Sequence, residues 1–162
     1  MLNLRVARMD EMNHVHAFFN AVIEALEGAE YTPCWEKDIY PDRAMLEGFV
    51  QRGEMYIGEA EGEIACAVAL NQSAQHENCL EIHLLAVHPD MRGRALGKAL
   101  VGFAIDFARR RGMGGVRLDV TEGNLPAEKL YTGLAFEYVQ TRRDWFTDAD
   151  YLDFREFIYK IQ

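Results

Sequence analysis

The sequence has no apolar run approaching the ~20 residues that span a bilayer, which excludes a helical membrane segment. Its start, MLNLRVARMDEMNHVH, carries polar residues where a signal peptide would have its apolar segment. Cysteine is scarce. Cys34, Cys66 and Cys79 are the only three, and none falls in a C-x-x-C or other metal-ligand spacing, so no metal is expected. Three dispersed thiols give no disulfide framework and fit a reducing compartment. Cys66 and Cys79 lie in apolar, strand-like runs and read as small core residues; Cys34 lies in a polar loop. Basic residues are also short, 17 Lys and Arg against 26 Asp and Glu, and the net charge of −9 argues against non-specific nucleic-acid binding. Internal repeats, linkers and low-complexity tracts are missing. So is any Ser-His-Asp or Cys-His constellation that would signal a covalent intermediate. The expectation is one cytoplasmic domain over residues 1–162, without membrane or nucleic-acid partners. At 49% hydrophobic and 27% charged, it is long enough to bury a core.

Charge is unevenly placed. Residues 10–63 hold thirteen acidic residues against three basic ones, Lys37, Arg43 and Arg52. Residues 92–119 hold seven basic residues against two acidic ones, Asp106 and Asp119. That division suits a polyanionic cofactor on the middle of the chain and a cationic substrate on its first third.

Alternation at residues 2–8 predicts a strand, and apolar spacing of three and four predicts a helix over 10–27 with Asp10 as its N-cap. Residues 29–41 show no period but combine Tyr31, Trp35 and Tyr40 with Glu30, Glu36 and Asp38. An aromatic and acidic loop can receive a cation, so Tyr31, Trp35 and Glu36 are candidate substrate contacts. A short helix follows over 42–52. Strands near 55–60, 64–70 and 80–87 come next, then a helix from Leu96, a strand over 116–120, a helix from Asn124, and closing strands 136–141 and 151–161 around a loop at 142–150. The order β-α-α-β-β-β-α-β-α-β-β predicts an α/β (α+β) fold. Its central sheet is mixed and mostly antiparallel, with one parallel strand pair at the centre and about four helices. The closing hairpin offers an edge for a homodimer.

The stretch from Cys79 to Ala99, CLEIHLLAVHPDMRGRALGKA, is the most informative. A buried strand ends at Val87, and a loop of Arg92, Gly93, Arg94, Ala95, Leu96, Gly97 and Lys98 opens a helix. Unpaired N–H groups and the helix dipole make such a loop a phosphate holder. Arg92, Ala95 and Gly97 meet the pattern Gln/Arg-x-x-Gly-x-Gly/Ala, with Ala95 where Gly is usual. A second run, Asn124-Leu-Pro-Ala127-Glu-Lys-Leu130-Tyr131-Thr-Gly-Leu134-Ala135-Phe136, follows after one helix and one strand. Together the two motifs resemble those of the GNAT superfamily of acyl-CoA-dependent N-acyltransferases. The resemblance implies acetyl-CoA as co-substrate. It implies that the backbone of Leu85, Ala86 and Val87 pairs with the pantetheine arm, that residues 92–98 hold the pyrophosphate, and that Asn124 fixes the cofactor arm. Ala95 costs little if its backbone is right-handed.

Transfer to an amine needs a neutral nitrogen, a stabilised oxyanion and a protonated leaving thiolate. Tyr131 lies two turns from Asn124 on one helix face and is the candidate general acid. Glu81 and His83 share one face of a central strand, where two polar residues are costly unless that face lines a cleft. Either is a candidate base. The expected reaction is direct attack by a primary amine, a cationic small molecule being favoured. A protein or peptide amine, or a non-catalytic acyl-CoA-binding role, are the alternatives.

Overall fold

The structure, a computed structural model, describes residues 2–31, 33–147 and 150–162. Its elements are β1 (Leu4–Val6), α1 (Met12–Leu26), α2 (Arg43–Gln51), β2 (Met55–Ala60), β3 (Glu63–Gln72), β4 (Cys79–Val87), α3 (Leu96–Arg110), β5 (Gly115–Thr121), α4 (Leu125–Gly133), β6 (Glu137–Thr147) and β7 (Asp150–Lys160). The strands form one sheet in the order β1-β2-β3-β4-β5-β7-β6. Among the described residues only β4 and β5 pair in parallel, so the predicted element order and the mixed sheet are found. None of the described helices is long and apolar enough to cross a membrane.

A sheet with helices on both faces carries two cores. One lies under α3 and α4 and includes Leu80, Ile82, Leu100, Leu118, Tyr131 and Phe157. The other lies under α1 and α2 and includes Phe18, Phe19, Leu46, Phe49, Leu84 and Ala86. Strand β4 therefore changes face partway. A strict period of two cannot put Ile82 and Leu84 in opposite cores. A bulge does it: Leu84 has φ 51°, and the β3–β4 register slips between Ala67 and Ala69.

Strands β4 and β5 stay together for only three rungs, Cys79, Leu80 and Glu81 against Gly115, Val116 and Arg117. Beyond Glu81 they part, while β5 keeps its pairing with β7 as far as Thr121. The divergence leaves one side of β4 from Ile82 to Val87 without a strand partner among the described residues. It also opens a cleft at the carboxyl ends of both strands, where open sheets hold ligands.

Two local expectations change. Asp10 does not cap α1; it sits in a 3-10 turn over Met9–Glu11, and Glu11 accepts the Arg8 N–H at 2.8 Å. The predicted loop at 142–150 is mostly strand, because β6 and β7 run to Thr147 and from Asp150. Cross-strand pairs hold this extension: Arg143 with Asp153 at 2.9 Å, and the rings of Trp145 and Tyr151 with centroids 3.8 Å apart. Asp148 and Ala149 lie outside the described residues.

Candidate active site

The cleft between β4 and β5 has a volume of about 740 Å³. Its walls include the predicted Glu81, His83, Leu85, Ala86, Val87, Arg92, Asn124, Tyr131, Tyr31 and Trp35. Glu36 is not among them. It is exposed, and its backbone is taken up in a tight turn with Tyr40, so Tyr40 rather than Glu36 reaches the cleft. Sequence spacing cannot distinguish these two, since the turn reverses the chain between them.

The loop after β4 is built as an anion cradle. His88 starts it: its Nδ1 accepts the Asp90 N–H at 3.2 Å, and its carbonyl accepts the Met91 N–H at 2.9 Å. Buried Met91 pins the turn. Gly93 and Ala95 then take left-handed conformations, φ 79° and 56°. Among the described residues, the N–H groups of residues 92–98 have no acceptor, and α3 begins without a side-chain cap. Converging free N–H groups at a helix start favour a negatively charged guest. The exposed Arg92 and Lys98 add positive charge, whereas Arg94 turns towards Glu61, 3.9 Å away.

Ala95 corrects an expectation. Its φ of 56° and ψ of 28° are left-handed, not right-handed, and Ala135 has φ 67°. Each Cβ there costs about 1 kcal/mol relative to glycine. Ala95→Gly and Ala135→Gly should each raise stability by about 0.5 kcal/mol, the relieved strain less the extra freedom of the unfolded chain. Urea midpoints at constant slope test this.

Asn124 caps α4, its side chain accepting the Ala127 N–H at 3.4 Å. Tyr131, two turns on, has its ring in the core against Phe136 and its residue lining the cleft. No hydrogen bond to its hydroxyl exists among the described residues, and burial raises its pKa well above the usual tyrosine range.

Glu81 and His83 share the β4 face that carries the α1 and α2 core. His83 packs against Phe49, ring centroids 5.6 Å apart. Burial lowers its pKa, with Glu81 and Glu54 opposing, so a neutral imidazole is favoured.

The far end of the cleft was not anticipated. Asp119, Arg142, Asp144, Trp145 and Phe154 line it. Val116, Leu118 and Val120 of β5 face the α3 core, so Asp119 points to the same side as Glu81 and His83. Arg142 donates to Asp119 at 2.5 Å, to Glu156 at 2.8 Å and to Asp144. Burial raises the Asp119 pKa, Arg142 pulls it down, and Glu81 and Glu156 add to the rise. Glu30, Glu81, Asp119 and Asp144 thus face the cleft with Arg142 as the one cation at this end, among the described residues. The hydroxyl of Thr121 donates to the Pro33 carbonyl at 3.2 Å and ties the aromatic loop to the end of β5.

Comparison with known proteins agrees with this geometry. The profile of the acetyltransferase (GNAT) family matches residues 20–136. The streptothricin acetyltransferase of Streptomyces lavendulae is 38% identical over 79 residues, 49% of this chain and 41% of that protein. The chain spans about two fifths of the length of the curated relatives first matched. A Salmonella typhimurium acetyltransferase structure with its cofactor acetyl-CoA superposes with a TM-score of 0.75 at 18% identity, covering 100% of this chain and 95% of that one. A Drosophila melanogaster polyamine N-acetyltransferase gives 0.72 at 19% identity, covering 99% and 100%.

Proposed function

The chain belongs to the GNAT family of acetyltransferases, and from that premise we propose that it transfers an acetyl group from acetyl-CoA to a primary amine of a cationic small molecule. One observation carries the reading. A single cleft runs from the free side of β4 and Arg92, the first residue of the cradle of unpaired N–H groups, to an acidic, aromatic end; Gly93 to Lys98 lie beyond its walls.

The donor end fits a coenzyme A thioester. The free side of β4 from Ile82 to Val87 presents backbone groups to an extended, amide-bearing arm, which adds as a strand would. The N–H groups of residues 92–98, with Arg92 and Lys98, suit a pyrophosphate. Asn124 stands across the cleft from β4, its amide nitrogen left for the same arm. The bound thioester supplies an activated acetyl group. Tyr131, held protonated by burial, gives its proton to the departing sulfur.

The acceptor end fits a cation. Its four carboxylates face one guanidinium, which Asp119, Asp144 and Glu156 already share. Tyr31, Trp35, Tyr40 and Trp145 supply ring faces. A second positive charge on the acceptor finds a site here, whereas a carboxylate on it meets repulsion.

The test is acetyl-CoA turnover on a panel of diamines, amino sugars, neutral amines, α-amino acids and peptides. Diamines should give the highest kcat/KM and α-amino acids the lowest. Coenzyme A binding without turnover on any member overturns the transferase reading in favour of a binding module. Preference for a peptide overturns the small-molecule assignment.

A further inference from the structure

Resting on that transferase reading, we propose that Arg52, Glu54 and Asn71 form a positioning relay that fixes His83 as the base, with Nδ1 as the atom that takes the acceptor's proton.

The relay runs through side chains from three elements. Arg52 ends α2, Glu54 immediately precedes β2, and Asn71 lies near the end of β3, paired in register with Glu81 of β4. The Arg52 Nε donates to Glu54 Oε2 at 3.0 Å. The Asn71 amide nitrogen donates to the same oxygen at 3.5 Å. The Leu70 N–H donates to the Glu54 carbonyl at 2.9 Å, so the backbone holds Glu54 beside Asn71. His83 Nε2 stands 2.9 Å from Asn71 Oδ1.

These contacts decide the protons. A carboxylate paired with a guanidinium is ionised and only accepts. The Asn71 amide nitrogen must therefore face Glu54, and Oδ1 must face His83. Oδ1 only accepts, so Nε2 carries the imidazole proton and Nδ1 keeps its lone pair. Among the described residues Nδ1 has no hydrogen-bond partner, and it is not closed off from solvent. Since His83 lines the cleft, that lone pair is available there.

Glu81, the competing candidate, makes no side-chain hydrogen bond among the described residues. A base held by a partner that is itself held is pre-organised; one without partners is not. The ring of Phe49 completes the support, lying 5.6 Å from the His83 ring and 5.2 Å below the Arg52 guanidinium. In the step itself, an N–H bond of the acceptor's ammonium breaks and its proton bonds to Nδ1. The electron pair stays on the amine nitrogen and forms the new C–N bond to the thioester carbonyl. The C–S bond breaks with its pair leaving on sulfur, sulfur takes the Tyr131 proton, and the surplus N–H proton of the adduct passes to the Tyr131 oxygen.

The charged groups facing His83 are Glu81 on its own strand, Glu54 before β2 and Arg52 at the end of α2. Replacing neutral Asn71 with aspartate adds one carboxylate at the Nε2 side. The test is ring-nitrogen NMR of His83 in wild type and Asn71→Asp, assigned with His83→Gln, beside pH profiles of kcat. The wild type should show the Nε2–H tautomer. Asn71→Asp should raise the His83 midpoint by about one pH unit and move the acidic limb of kcat up equally. Asn71→Leu should lower kcat by about 10-fold or more and leave coenzyme A affinity unchanged.

An Nδ1–H tautomer in the wild type overturns the relay. So does a His83 midpoint unmoved in Asn71→Asp. A midpoint that moves while the kcat limb stays places the base elsewhere and overturns the assignment to His83. Wild-type protein that acetylates no amine, yet shows the tautomer and the shift, overturns the transferase reading instead.

Discussion

Tyr131→Phe is expected to lower kcat by about 10²-fold to 10³-fold while coenzyme A affinity stays within about twofold. The substitution removes one oxygen from a ring that otherwise keeps its place. The residue is 7% exposed, and the ring packs against Phe136 at 5.6 Å in the core under α3 and α4. That hydroxyl has no hydrogen-bond partner among the described residues, so its loss strands no donor or acceptor. Stability should change by less than about 1 kcal/mol. What disappears is a proton held ready in the cleft. Burial keeps the phenol protonated well beyond the working pH range, so no alkaline limb from Tyr131 should appear below about pH 10. Steady-state kinetics with saturating acetyl-CoA, beside a coenzyme A titration, give both quantities. A loss in kcat below about fivefold would sink the general-acid role.

Tyr131 was legible in the sequence because helix geometry is local. Asn124 and Tyr131 are seven residues apart, and α4 keeps them on one face. The cradle was legible for the same reason, since strand, turn and helix follow each other within residues 79–99. Glu81 and His83 stood out as polar residues facing one way in an apolar strand. The same argument applies to Asp119, which alternates with Val116, Leu118 and Val120, and it could have been found by it. Arg142 and Asp144 could not. They lie on a hairpin whose polar residues occur on both faces, so no period of two marks the strand, and residues 142–150 read as a loop. The signal that was present is aromatic: Trp145 of β6 and Tyr151 of β7 are cross-strand partners and stack. The bulge at Leu84 had no signal at all. A leucine at φ 51° is set by the surrounding ladder, not by its own preference. Without that bulge, the order of faces along β4, and hence what His83 packs against, is not derivable from alternation.

Arg142→Ala is expected to pull stability and acceptor affinity in opposite directions. Arg142 is 28% exposed at its side chain and bonds Asp119, Asp144 and Glu156. Glu156 is 4% exposed. Burial pushes its pKa up, but hydrogen bonds from Gln140 and Arg142 and the nearby Arg117 hold it below the usual carboxylate range. The variant leaves Glu156 with Gln140 at 2.9 Å and Arg117 at 3.5 Å. Breaking a fully buried pair costs about 3–5 kcal/mol; with partial exposure and two remaining partners, a loss of about 2 kcal/mol is expected. A depressed carboxylate contributes stability above its unfolded pKa of about 4.3 and loses it as pH falls through the folded value. The gap between variant and wild type in urea should therefore be full at pH 7 and shrink below about pH 4. In the cleft the sign reverses. Asp119 and Asp144 lose their shared cation, and at water-accessible distances one uncompensated charge is worth about 1 kcal/mol. KM for a diamine should fall about fivefold while KM for a neutral amine stays put. Arg142 is also what holds the Asp119 pKa down against burial, Glu81 and Glu156, so its removal raises that pKa further. The diamine gain should consequently fade as pH falls and Asp119 takes up its proton. A diamine KM that does not fall, or one that falls equally for the neutral amine, would remove the acidic end of the cleft from acceptor recognition.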